Sequence, residues 1–107
     1  MTRQRVYLEI AHSDDLTLNV EWEDDYGNPV DLDVYDAFTW LFGSFAYSVA
    51  ATQDNYITTA DNVISLYLPK SVIEHFRGNG YGYHRLTAEI TGDPPEVLVE
   101  GGIYFHD

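Results

Sequence analysis

Apolar and polar residues alternate with a period of two along most of this chain. Val6, Leu8 and Ile10 alternate with Arg5, Tyr7 and Glu9, and Leu16, Leu18, Val20 and Trp22 alternate with Thr17, Asn19, Glu21 and Glu23. Successive side chains of a strand point to opposite faces, so each run predicts a half-buried strand with one wet face. His12, Ser13, Asp14 and Asp15 make a short polar turn between them. A second turn is expected over 24–29, where Gly27 and Asn28 tolerate positive φ and Pro29 fixes the exit.

The strand expected over 34–42 breaks this alternation. Phe38, Trp40 and Phe42 fall on one face, and Tyr35, Ala37 and Leu41 on the other. An apolar residue on both sides predicts a central strand, or one covered by another subunit. Residues 44–51 and 56–59 are weaker strand candidates, with Asp54 and Asn55 as a turn. Residues 63–68 form a clearer one, with Ile64, Leu66 and Leu68 inward and Pro69 as its stop.

Ser71 followed by Glu74 reads as a capping box, and Val72, Ile73 and Phe76 give an apolar side that Gly78 terminates. Only about two turns fit there, enough to plug one end of a sandwich. A long strand is expected over 81–91, with Leu86, Ala88 and Ile90 inward and Tyr81, Tyr83, Arg85 and Glu89 outward. Residues 91–95 make a hairpin turn, and the last strand runs over 97–105 with Gly101–Gly102 as an expected bulge. Seven or eight strands with one short helix near 71–77 predict an all-β fold. The expected architecture is a single antiparallel β-sandwich over 1–107, immunoglobulin-like or jelly-roll-like.

Composition narrows the function classes. At 107 residues the chain fits one domain and can bury one core. It has no Cys, which excludes disulfides, thiolate metal sites and Cys nucleophiles. No apolar run reaches the ~20 residues of a membrane span. The start, Met1 to Arg5, is basic but leads into alternation and not into a continuous apolar stretch, so no signal peptide is expected. The formal charge of −13, from 18 acids against 5 bases, argues against nucleic acid or an anionic membrane as a partner.

The turn and strand motifs resemble a family of tailed-bacteriophage virion domains. The similarity is to the N-terminal β-sandwich of baseplate upper proteins and to related small tail-associated proteins of long-tailed phages. It rests on Trp22, the acidic stretch Glu23 to Asp25, then Gly27, Pro29, Val30, Asp31, Leu32 and the aromatic Tyr35. It continues through the strand ending at Leu68 and Pro69, the short helix, the Tyr-rich strand from Tyr81, and Leu98 to Gly101 with Ile103 and Phe105. Val34 stands where a Gly commonly precedes the aromatic. The resemblance spans roughly residues 14–106 and is one of strands and turns, carrying no chemistry. It implies a structural virion protein, with other phage structural proteins and copies of itself as partners and no cofactor. Ending at Asp107, the chain is expected to be a stand-alone sandwich and a small tail or tail-tip accessory subunit near the baseplate.

The residues themselves offer three candidate sites. Asp31, Asp33 and Asp36 could hold Ca²⁺, although their spacing is not that of an EF-hand, and a solvated edge that discourages strand pairing is the favoured reading. His12, His75, His84 and His106 are scattered; only His84 and His106 could be cross-strand neighbours, which is too few for a metal. No nucleophile elbow, phosphate loop or zinc helix occurs, so an enzyme is not expected.

Tyrosines form the third site. Tyr7, Tyr67, Tyr81, Tyr83 and Tyr104 fall on outward faces. Tyr is a good strand former, is enriched at protein interfaces and stacks on sugars. The expected protein interface is Tyr67, Tyr81, Tyr83 and Tyr104 together with Tyr35, Phe38, Trp40 and Phe42 of the apolar strand. The expected role is therefore docking without a chemical step. A capsid decoration or head–tail connector protein is the first alternative. A carbohydrate-binding module using Tyr81, Tyr83 or Trp40 is the second.

Overall fold

The computed structural model describes residues 4–11, 13–44, 47–53, 55–76 and 80–106. His12, Asp54, residues 45–46 of the expected strand and the helix stop at Gly78 lie outside them. Among the described residues nine strands form two sheets facing each other. In chain order these are β1 (Gln4–Arg5), β2 (Leu8–Ala11), β3 (Leu16–Glu21), β4 (Ala37–Gly43), β5 (Ser48–Thr52), β6 (Ile57–Ala60), β7 (Val63–Leu68), β8 (Tyr81–Glu89) and β9 (Glu96–His106). The larger sheet has the order β1-β9-β8-β4-β5, with β2 also on β9, and the smaller sheet is β3-β7-β6. The chain is thus an all-β sandwich of immunoglobulin-like build.

The period-two runs form these strands because one set of side chains fills the space between the sheets. Val20, Ile64, Leu66 and Leu68 enter it from the smaller sheet, and Phe38, Trp40, Phe42, Leu86 and Ala88 from the larger. Trp40 is fully buried and lies parallel to the His84 ring at 5.7 Å. No disulfide crosses the sandwich, since the chain has no Cys, so the sheets are held together without a covalent cross-link.

The sandwich is not wholly antiparallel. β1 and β2 both run parallel to β9, pairing Arg5 with Glu100 and Leu8 with Ile103. Between them Val6 leaves the regular ladder while its N–H still reaches the Glu100 carbonyl at 3.0 Å. A Cβ on Gly101 would collide with the Val6 carbonyl, so only glycine lets the two backbones approach. Gly101 and Gly102 are therefore not the bulge. The register slips between Leu86–Val99 and Thr87–Val97, which makes Leu98 the extra residue. That slip turns both Leu98 and Val99 into the core.

The short helix also differs from its expected start. It spans Lys70–Ile73 (α1) and continues as a 3-10 turn over Glu74–Phe76. Pro69 occupies the cap position and Ser71 lies inside the helix, so the Ser71/Glu74 capping box does not form. The cap comes from the turn after β2, where the Asp15 carboxylate accepts the Lys70 N–H at 2.7 Å and the Tyr67 hydroxyl at 3.2 Å. Ile73 and Phe76 close that end of the sandwich, the Phe76 ring stacking on Phe105 at 4.9 Å and meeting Phe42 edge-on at 5.4 Å. Ile90, expected inward, is exposed, because β8 ends at Glu89 and the chain turns toward Asp36.

Candidate docking face

Register places the outward residues of the larger sheet in rows. One row is Glu9, Tyr104 and Tyr81, joined by the β2–β9 and β9–β8 pairings. The next is Gly102, Tyr83 and Gly43 across β9, β8 and β4. The third is Arg5, Glu100, Arg85, Leu41 and Ala50. Tyr7 sits where β1 gives way to β2, within van der Waals range of the open space above Gly102. The face is therefore a cluster of four tyrosines beside a row of alternating charges.

The tyrosines make one contiguous patch. Tyr81 is 71% exposed, Tyr7 60% and Tyr83 45%, values unusual for so large a side chain. The Tyr81 and Tyr104 rings lie 5.3 Å apart, and Tyr104 stacks on His106 at 6.1 Å. Desolvation, then the Glu9 carboxylate and the Tyr81 and Tyr104 phenols, push the Tyr7 phenol above its ordinary value. Next to the patch is a trough of about 380 Å³ lined by Arg5, Leu41, Tyr83, Arg85, Glu100 and the backbone at His84 and Gly101. Arg85 Nε contacts the Glu100 carboxylate at 3.4 Å. Arg5 and Arg85 are two of the five Lys and Arg in the chain, so this face balances its charges while the molecule carries −13.

The structure divides the expected interface residues. Tyr81, Tyr83 and Tyr104 come together on this face. Tyr67 does not join them; it lies on the smaller sheet and its hydroxyl is committed to Asp15. Phe38, Trp40 and Phe42 face the core and are buried, because β4 is covered on both edges by β5 and β8 and above by the smaller sheet. They are removed from the interface, and Trp40 from any sugar platform. Tyr35 is also buried, edge-on to Phe38 at 5.5 Å with its hydroxyl donating to Glu96 at 3.0 Å. Desolvation first, then Glu96, raises its phenol to about 12, with the Trp22 indole opposing. Arg5 and Glu100 were not in the expected set, whereas Tyr7 was among the tyrosines expected outward and Leu41 lay in the expected two-sided strand. The joining of Arg5 and Tyr7 to the face depends on the parallel pairing of the N-terminal strands, which alternation alone does not encode.

The acidic and histidine candidates separate. Asp31 caps a 3-10 turn over Leu32–Val34, accepting the Asp33 N–H at 2.9 Å. Asp36 instead accepts the Thr91 N–H and hydroxyl, both at 2.6 Å, and these bonds hold its carboxyl below the usual range. The three carboxylates thus do not converge, and among the described residues no group of three His, Cys, Asp or Glu could hold a metal ion. His84 and His106 are not neighbours either, since His84 pairs with Gly101 and His106 with Ala11. His84 is buried, and its Nε2 lies 2.6 Å from the Val6 carbonyl. A carbonyl only accepts, so Nε2 carries the proton. Desolvation lowers the His84 pKa, and the bond to Val6 opposes that fall.

No family model matches the chain, and no curated protein matches it in sequence. Solved structures share its fold. The extracellular domain of the voltage-gated sodium channel beta4 subunit, solved as parallel homodimers, has a TM-score of 0.53 at 11% identity, covering 100% of this chain and 89% of that one. Two titin I67–I69 fragments score 0.48 and 0.49 at 13% identity, and each match covers 94% of this chain. The chain spans about three-tenths of their length, 29% and 30%. The likeness to the beta4 domain carries the immunoglobulin-like sandwich and nothing further.

Proposed function

We propose that the chain is a structural docking domain, a small tail-associated subunit of a tailed-phage virion that attaches through the outer face of its larger sheet. The observation that carries the docking role is the contiguous Tyr7, Tyr81, Tyr83 and Tyr104 patch beside the Arg5–Glu100–Arg85 row on an otherwise acidic molecule. Tyr and Arg are the residues that interfaces enrich, and a locally neutral face is where an acidic body meets a partner with least repulsion. The virion assignment rests on the turn-and-strand resemblance from Trp22 to Phe105. The beta4 domain, of the same fold, is itself a homodimer, in keeping with a surface-pairing role for such a sandwich.

Immunogold electron microscopy of phage particles, with antibody raised to this chain, tests the assignment. Label at the tail tip is the expected result, and label over the head moves the protein to capsid decoration. Absence from both the micrographs and the mass spectrum of dissociated particles overturns the virion reading. A glycan array run beside it separates docking to protein from sugar binding, and no binding is the expected outcome.

A further inference from the structure

We propose that copies of this chain assemble head to tail, the Tyr26 tip of one copy seating in the Arg5–Tyr83–Arg85 trough of the next. The inference rests on the docking role proposed above and names its partner.

The tip is the turn between Trp22 and Pro29. Tyr26 at its apex is 91% exposed, more than any other large apolar side chain described. The turn is held rigidly. The Asp24 carboxylate accepts the N–H groups of Tyr26 and Asn28, each at 2.9 Å, and the Asp24 N–H and carbonyl bond to Asn28 and Gly27. Gly27 has φ +83°, which only glycine adopts without strain and which closes the turn under Tyr26. The aromatic is therefore presented in a fixed place, and little ordering entropy is left to lose on docking. Glu23, Asp24 and Asp25 surround it with negative charge.

The trough is the complement in shape and sign. Its volume of about 380 Å³ is within the range of clefts that accept a ring, and Leu41 gives it an apolar floor. Tyr83 supplies a ring to stack against, and Arg5 and Arg85 outweigh the one lining carboxylate, Glu100, which Arg85 contacts, so the lining is net positive. Tip and trough share no residue, the tip following β3 of the smaller sheet and the trough lying on the outer face of the larger. The contact is therefore heterologous. It closes into a ring if the rotation between copies divides a full turn, and otherwise grows into a filament.

A mixing experiment decides this. Tyr26→Ala disables the tip, and the double substitution Arg5→Glu/Arg85→Glu disables the trough; all three side chains are exposed, and thermal melting verifies that both variants fold. Tyr83→Ser provides a second trough variant with no change of charge. In sedimentation velocity the wild type is expected to form concentration-dependent oligomers. Each variant alone is expected to lose self-association by on the order of ten-fold or more. An equimolar mixture of tip and trough variants is expected to stop at a one-to-one heterodimer, joined by the single intact interface. A wild type that stays monomeric, a tip variant that oligomerises like wild type, or a mixture that stays monomeric each overturns the proposal. Monomeric wild type on a particle that carries the label would leave the virion role standing and fail only the head-to-tail contact. Oligomers that pass the mixing test, with no label on particles, would do the reverse.

Discussion

The two outer faces of the sandwich are built from the same alternation yet differ in what they offer. On the smaller sheet, register sets Thr17 beside Tyr67, Asn19 beside Ser65 and Thr58, and Glu21 beside Val63 and Ala60. Short hydroxyl and amide side chains dominate there, and its one large aromatic, Tyr67, is tied to Asp15. On the larger sheet the equivalent positions carry Tyr7, Tyr81, Tyr83, Tyr104, Arg5 and Arg85. Both faces solvate a strand adequately. Only the second concentrates side chains whose burial against a partner is worth more than their exposure to water.

The sharpest way to separate stability from docking is to change opposite sides of one sheet. Trp40→Ala, on the inner side, should cost about 3–5 kcal/mol, read as a fall in the urea midpoint, since it empties a fully buried site. Tyr83→Ala, on the outer side of the adjacent strand, should cost under about 1 kcal/mol in the same assay. Comparable losses would mean that the outer tyrosines are structural. Next in size is the carboxylate of the turn that leads into the smaller sheet. Asp15→Ala removes the carboxylate that accepts the Lys70 N–H and the Tyr67 hydroxyl, and should cost about 1 kcal/mol, the ordinary value of a lost helix cap. Tyr67→Phe should cost less, because the Lys70 bond survives.

This contrast was only half legible in the sequence. Alternation identified Tyr67, Tyr81, Tyr83 and Tyr104 as outward, but outward is a property of a strand, and it does not say which sheet the strand joins. Tyr67 therefore grouped with residues on the opposite side of the molecule. The apolar strand at 34–42 was legible as central, yet its two-sided apolarity suggested an interface where the structure has a core face and a half-buried outer one. Long-range partners were the least visible features. The Asp15 cap and the parallel approach of Val6 to Gly101 join segments far apart in sequence, and the Leu98 bulge is a slip of register within the β8–β9 hairpin; no local period records any of them.

Acid and alkali should loosen the two sheets' contacts through different groups. His84 is kept neutral by burial, so its folded pKa lies below the unfolded one. Between those values the unfolded chain binds more protons, and stability rises with pH. The contribution is complete above about pH 6.5 and is lost as pH falls toward the folded value. His84→Gln, which can still donate to the Val6 carbonyl, should flatten that slope in urea titrations. Tyr35 has the opposite sense. Its phenol is raised to about 12, so the stability it contributes is complete below about pH 10 and is lost as pH climbs through 12. Tyr35→Phe should remove the alkaline slope and leave the acid one.

The smallest expected effect is also the control on the comparison. Thr58→Lys places a long cation on the outer face of the smaller sheet, at an exposed position of β6 beside Ser65. Stability should shift by no more than about 0.5 kcal/mol, because nothing buried is touched. Lys also suits an edge strand, where it discourages stray pairing. The same charge introduced by Gly102→Lys enters the centre of the tyrosine patch, where an added Cβ meets only Tyr7, at 3.6 Å. Both variants should fold, and only the second should lose docking to its partner. If Thr58→Lys weakened assembly as much as Gly102→Lys, net charge and not the tyrosine face would govern association, and the asymmetry between the two faces would be one of composition alone.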